Sequence, residues 1–218
     1  MIFESHNFVE IDVVLRRGGH INRSDLSQYQ FICDHYQELQ AFYTRYGCNL
    51  VQHPDGFFYL LSNGGILPTR LMPKTCVHLG MFIALKMRDP EITKSSGKLT
   101  VDQLLQAIET SISLETLQRV YAPKQREASQ YEKIREEIIK ALRILEQLQF
   151  VRLKDHVIRP MEAINRFADL ARHDNDPDQV ARAALLVQRG VVFSIPSEVA
   201  ESGGESQEMG ADIESENQ

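Results

Sequence analysis

Three cysteines, Cys33, Cys48 and Cys76, are all the chain has; they are widely spaced and form no C-x-x-C pair. An odd, scattered set argues against a disulfide framework or a zinc site, so reduced thiols are expected. No apolar run reaches the roughly 18–20 residues of a membrane helix, and no membrane partner is expected. Met1 to Arg17 has no basic leader followed by an apolar core, because Glu4, Glu10 and Asp12 break its apolar positions. A signal peptide is therefore not expected, and the chain reads as cytosolic. Motifs for chemistry are also missing: there is no G-x-S-x-G, H-E-x-x-H or dinucleotide fingerprint. Gly97-Lys98 would need a glycine where Ile92 stands and Ser or Thr where Leu99 stands to make a phosphate loop. Asp174, Asp176 and Asp178 alternate as in a calcium loop, but Pro177 interrupts them, and Gln179 and Leu185 replace the required Gly and Glu. The seven histidines are scattered. No catalytic residue, cofactor or metal ligand is expected, and the chain reads as non-enzymatic.

Positive charge is absent from Ser197 to Gln218, which holds seven acids and neither Lys nor Arg. The formal net charge of −6 therefore conceals a body with 24 basic and 23 acidic residues. Within that body, Arg119 to Arg172 contains twelve basic and eight acidic side chains. A mildly basic region followed by an acidic tail suggests nucleic-acid contact. The tail, made largely of Glu, Ser, Gly and Gln, is expected to be disordered, because it cannot bury enough apolar surface to offset chain entropy. A weak inhibition of DNA binding by these acids is a further expectation.

The same local order is present twice: a helix, a capped second helix, a longer amphipathic helix, then a hairpin. The first copy starts with a helix over Phe8–Arg17, stopped by Gly18-Gly19, with Asn22 or Ser24 as the next cap. A long helix carrying Leu26, Ile32, Tyr36, Leu39, Tyr43 and Tyr46 follows. His53-Pro54-Asp55-Gly56 then turns Asn49–Gln52 back onto Phe57–Leu61. In the second copy, Thr75–Arg88 reads as a helix stopped by Asp89-Pro90, and Thr100/Gln103 as a capping box over Val101–Ile108. Ser111–Lys124 is helical in part, and Ser129–Leu148 is the clearest helix. A short hairpin crosses Lys154-Asp155-His156. Met161–Arg172 and Asp178–Gln188 read as two further helices. The expected fold is mainly α with small β-hairpin wings: a winged helix over 1–70, a second over 71–160, C-terminal helices over 161–196, and the tail over 197–218.

A winged helix can lay its long helix in a DNA groove with its wing on the backbone. Lys124, Arg126, Lys133, Arg135, Lys140 and Arg143 lie on or before the second long helix, and Arg152, Lys154 and Arg159 lie on or near its wing. They could neutralise phosphates without reading sequence. The alternative is that they are i,i+4 partners of Glu132, Glu136, Glu137 and Glu146. The first copy is aromatic where the second is basic. Tyr36, Phe42, Tyr43, Tyr46, Phe57, Phe58 and Tyr59 are candidates for a partner-docking surface, with plain core as the alternative.

Several short strings occur at fixed separations: Arg17-Gly18-Gly19-His20-Ile21, Phe42-Tyr43-Thr44-Arg45-Tyr46, Pro54-Asp55-Gly56-Phe57-Phe58-Tyr59-Leu60 and Leu67-Pro68-Thr69-Arg70. Phe150–Leu153 and Ile164-Asn165-Arg166-Phe167 follow more loosely. In these the chain resembles the MukE/MksE family over roughly residues 8–193. The resemblance implies a tandem winged-helix homodimer that binds a kleisin of the MukF/MksF kind. Through the kleisin it would join an SMC ATPase of the MukB/MksB kind on double-stranded DNA, placing it at the nucleoid. A housekeeping complex and a plasmid-defence SMC system both fit. A free-standing winged-helix transcription regulator is the rival class; it calls for a clearly basic recognition helix, against which Glu136, Glu137 and Glu146 count.

Overall fold

Phe8, Ile11 and Leu15 recur at helical spacing and turn inward from α1 (His6–Arg16). A computed structural model provides the view and describes residues 2–64, 66–88, 98–123, 130–171 and 194–196. After α1 come β1 (Ile21–Asn22), α2 (Leu26–Asp34), α3 (Tyr36–Thr44), β2 (Cys48–His53) and β3 (Phe57–Ser62). The register pairs His53 with Phe57, so Pro54-Asp55-Gly56 is the loop of the hairpin. Gly56 sits at φ +88°, which an L side chain adopts only with strain. β1 joins the far edge of β3, and the sheet order is β1-β3-β2.

The pattern then returns. β4 (Thr69–Leu71) leads into α4 (Lys74–Lys86), β5 (Leu99–Thr100), α5 (Val101–Ser111), α6 (Leu114–Tyr121), α7 (Gln130–Gln147), β6 (Val151–Lys154) and β7 (Val157–Pro160). The second sheet is ordered β5-β7-β6, first–third–second, as in the first. The expected capping box is present: the Gln103 N–H donates to Thr100 Oγ1 at 3.1 Å, and the Thr100 N–H donates to Gln103 Oε1 at 2.9 Å. Asp155 and His156, at φ 50° and 63°, form the two-residue turn between β6 and β7, with the left-handed backbone that a type I′ hairpin requires. A 3-10 turn at Glu162–Ile164 feeds α8 (Asn165–Ala171), and β8 (Ser194–Pro196) returns to pair antiparallel with β4. The described chain is mainly helical with small antiparallel sheets, and none of its helices is long and apolar enough to cross a membrane.

Two hydrophobic clusters hold the chain together. One gathers Phe8, Ile11, Leu15, Ile32, Leu39, Tyr43 and Phe58. The other surrounds α4, whose ten consecutive residues from Cys76 to Leu85 are all buried, so this helix runs through the middle of its cluster. Consecutive strand residues face opposite sides. Phe58 accordingly enters the first cluster, while Phe57 crosses the sheet into the second.

Some expectations need correction. The single long helix ending near Tyr46 is two, α2 and α3, broken at His35, whose φ −121° and ψ 25° leave the helical region. Asn22 is not a helix cap. It lies in β1 and is fully buried, with its amide used elsewhere. Ser24 does not cap either, since Asp25 holds the N-cap position of α2. The helix expected from Met161 opens as a 3-10 turn. Strands β1, β4, β5 and β8 were not foreseen. The Asp89-Pro90 stop, the Asp174–Pro177 loop, the Asp178–Gln188 helix and the tail lie outside the described residues.

Candidate nucleic-acid interface

Two of the cations expected on the long helix α7 are matched by its own acids. Lys133 reaches Glu136 at 3.2 Å and Glu137 at 3.7 Å, and Lys140 reaches Glu137 at 2.8 Å. The Glu136 hydrogen bond, then its charge, raises the Lys133 pKa, while the Lys140 hydrogen bond leads the causes that lower that of Glu137. Arg135 approaches Glu109 of α5 at 3.9 Å. Arg143 is exposed. Lys124 and Arg126 lie outside the described residues. Pairing within the helix therefore accounts for Lys133 and Lys140, at i,i+3 as well as the expected i,i+4 spacing.

Positive charge gathers instead at the β6–β7 hairpin. A cavity of about 510 Å³ is lined by Lys98, Arg152, Lys154, Asp155, Val157 and Arg159. The hairpin supplies three of its cations, and Lys98 enters from the end of β5, the strand added to β7. Lys98, Lys154 and Arg159 are exposed, and no carboxylate pairs with any of them among the described residues. Arg152 is tied to Asp25, just before α2. Sequence reasoning named Arg152, Lys154 and Arg159 but missed Lys98, because a two-residue strand carries no readable period.

The aromatic candidates of the first copy divide. Tyr43, Phe57 and Phe58 are fully buried and cannot form a docking surface. Burial, followed by the nearby Asp12 charge, pushes the Tyr43 phenol well above its usual pKa. The half-buried ones are engaged internally. Tyr36 donates its hydroxyl to the Leu50 carbonyl at 2.8 Å, Tyr46 lies 5.4 Å from the Arg16 guanidinium, and Phe42 packs on Phe3 and Phe8. Tyr59 lies 3.8 Å under the guanidinium of Arg166. Apolar side chains that do face solvent include Phe3, Val9 and Val13 near the N-terminus, Leu61 on β3, Leu71 on β4 and Ile66 between the two strands.

A buried polar junction joins the two repeats. His20 Nδ1 lies 2.8 Å from the Leu148 carbonyl, and Nε2 lies 2.8 Å from Arg166 Nη1. Guanidinium only donates, so Nε2 must accept, and Nδ1–H then donates to the carbonyl. This neutral tautomer fits the lowered pKa of His20, caused first by burial and then by the Arg166 charge. Burial lowers Arg166 itself to about 10. Asn22 donates its amide to the Gln149 carbonyl at 2.9 Å and accepts from the Ala163 N–H at 2.9 Å. The Arg17-Gly18-Gly19-His20-Ile21 string builds this corner. Gly18 has φ +83°, and a Cβ there would stand 2.7 Å from the Pro196 carbonyl oxygen. Glycine lets β8 close over the turn that delivers His20. Among the described residues no group of three or more His, Cys, Asp or Glu is placed to hold a metal.

The described chain is mainly helical, with two sheets of the same strand order and a cationic hairpin. The family model for the condensin complex protein MksE matches residues 6–172. The chain belongs to that family. It is also 26% identical to the chromosome partition protein MukE of Photorhabdus laumondii over 179 residues, 79% of this chain and 77% of the relative. The MukE of Escherichia coli K12 is 25% identical over 183 residues, covering 82% of this chain and 78% of its own. A shorter stretch of 98 residues is 34% identical to the MukE of Histophilus somni, 44% of this chain and 40% of that protein.

Proposed function

We propose that this chain is a non-enzymatic, tandem winged-helix accessory subunit of a condensin-like complex acting in chromosome partition. It dimerises, binds a kleisin, and through it joins an SMC ATPase on DNA at the nucleoid. The observation that carries the reading is the repeated order of helix, strand, helices and hairpin, with both sheets ordered first–third–second. That is the order of a winged helix, with α6 as an extra element in the second copy. The proposed divisions are 1–70, 71–160 and 161–196, followed by the tail at 197–218. Family membership and the relatives named as chromosome partition proteins support the complex over a free-standing regulator. So does the acid-matched face of α7, which offers little free charge to a major groove.

In this reading DNA is held at the second hairpin by Lys98, Lys154 and Arg159, with Arg152 shared with Asp25. Protein partners dock on the exposed apolar residues of the first copy, with Val9 and Val13 one helical turn apart on α1. Three phosphate contacts give a log K against log salt slope of about −3 on duplex DNA. Reversing charge together at Lys98, Lys154 and Arg159 should weaken duplex binding at least about tenfold and flatten that slope. Reversal at Lys133 and Lys140 should leave it nearly unchanged. Anisotropy titrations of labelled duplex across a salt series measure both. The opposite ranking would move the DNA site back to α7.

A further inference from the structure

The acidic stretch at 197–218 follows directly on β8, whose Pro196 carbonyl lies against Gly18. From there the structure gives a route to the hairpin groove. Gly18 is two residues from His20, His20 touches the Leu148 carbonyl at 2.8 Å, and Leu148 is four residues from Arg152. At ~3.3–3.6 Å per extended residue, that route covers no more than about 35 Å. The 22 residues of the tail span up to about 70 Å when extended, so half of it reaches the groove. The charges are complementary. The groove is lined by Lys98, Arg152, Lys154 and Arg159 against one acid, Asp155, and the tail carries seven acids and neither Lys, Arg nor His. On α7, Lys133, Arg135 and Lys140 already have carboxylate partners.

We infer that residues 197–218 dock in the β6–β7 groove of their own chain and occupy the place where DNA phosphates bind. The inference rests on the reading of that groove as a DNA contact. A tethered anion acts at an effective concentration of about a millimolar, enough to compete with a diffuse phosphate contact without closing the site permanently. Rising salt weakens tail and DNA alike. The competition is therefore strongest at low ionic strength, where DNA binding is also tightest.

Zero-length carbodiimide coupling of the full chain at low salt, with peptide mapping, tests the docking directly. The expected products join tail carboxylates to Lys98 and Lys154 in preference to Lys133 and Lys140, and they fade at 0.5 M salt, where the Debye length falls to roughly 4 Å. No products at Lys98 or Lys154, or products spread evenly over all four lysines, would overturn the inference. A chain ending at Pro196 supplies the second measurement, with its thermal melt compared to check folding. It should bind duplex about three- to tenfold more tightly than the full chain at low salt. Equal affinities would overturn the competition. Coupling at Lys98 and Lys154 without duplex binding by either chain would instead overturn the DNA reading of the groove and leave the docked tail standing.

Discussion

Lowering the pH from 7.5 to 5 should destabilise the chain by at least about 2 kcal/mol, or roughly 5 °C in melting temperature, before most carboxylates titrate. Two buried histidines act in this direction, and His78 sets the figure. Burial alone lowers His78 to about 4, and its Nδ1 is 2.7 Å from the Tyr121 hydroxyl. His78 Nε2 is buried without a partner among the described residues. His20 is lowered by burial and then by Arg166, and His53 adds a smaller push in the same direction. A histidine of ordinary pKa, about 6.5, takes up its proton first in the unfolded chain. The unfolded state therefore binds more protons between that value and the folded one. For His78 the contribution is complete above about pH 6.5 and is lost as pH falls toward about 4. At pH 5 His78 accounts for about 2 kcal/mol of the loss, and His20 adds to it in the same direction. Glu137, whose folded pKa is lowered from 4.5, loses its contribution only at lower pH. His78→Gln can keep a hydrogen bond to Tyr121 but cannot titrate, so it should remove about 2 kcal/mol of the loss. Calorimetric melts across the range measure it; a flat profile from pH 7.5 to 5 would contradict neutral burial of both rings.

Gly80→Ala should destabilise the chain by about 1–3 kcal/mol, although alanine in a helix interior normally stabilises relative to glycine by about 1 kcal/mol. The sign reverses because of one ring. A Cβ on Gly80 would stand 2.6 Å from Cε2 and Cζ of Phe167, and 2.7 Å from Cδ2. α4 and α8 approach closely only because glycine leaves that space to the ring. Phe167 is itself fully buried, with Phe150 at 4.6 Å between ring centroids, and has little room to withdraw. Pairing Gly80→Ala with Phe167→Leu should recover at least about 1 kcal/mol relative to additivity, since the two changes meet at one contact. Denaturant unfolding of the four chains gives the coupling. Additive losses, or stabilisation by alanine alone, would mean that the two helices stand further apart.

Much of this architecture was legible in the sequence, for a physical reason. Long helices and hairpins repeat their chemistry every few residues, so α1, α4, α7 and both turns could be read locally. The break at His35 could not, because Ile32, Tyr36, Leu39 and Tyr43 continue the helical spacing across it and neither Gly nor Pro marks it. Strands of two or three residues have no period, and with β5 went the place of Lys98. The junction of His20, Asn22, Gln149 and Arg166 joins residues 127 to 146 positions apart, beyond any local pattern. The DNA contact expected on α7 is proposed at the hairpin instead, because Glu136 and Glu137 interleave with Lys133 and Lys140. That pairing was visible in the sequence as the alternative. Adjacent Phe57 and Phe58 looked like surplus aromatics; in the structure they face two cores from one strand.

Affinity purification of the tagged chain from its host, with mass spectrometry of what accompanies it, tests the central claim most directly. A kleisin and a long coiled-coil ATPase in fixed ratio, lost when Val9 and Val13 are changed to aspartate, is the predicted result. Recovery of the chain alone, as a dimer on defined promoter fragments, would contradict it and favour a free-standing regulator.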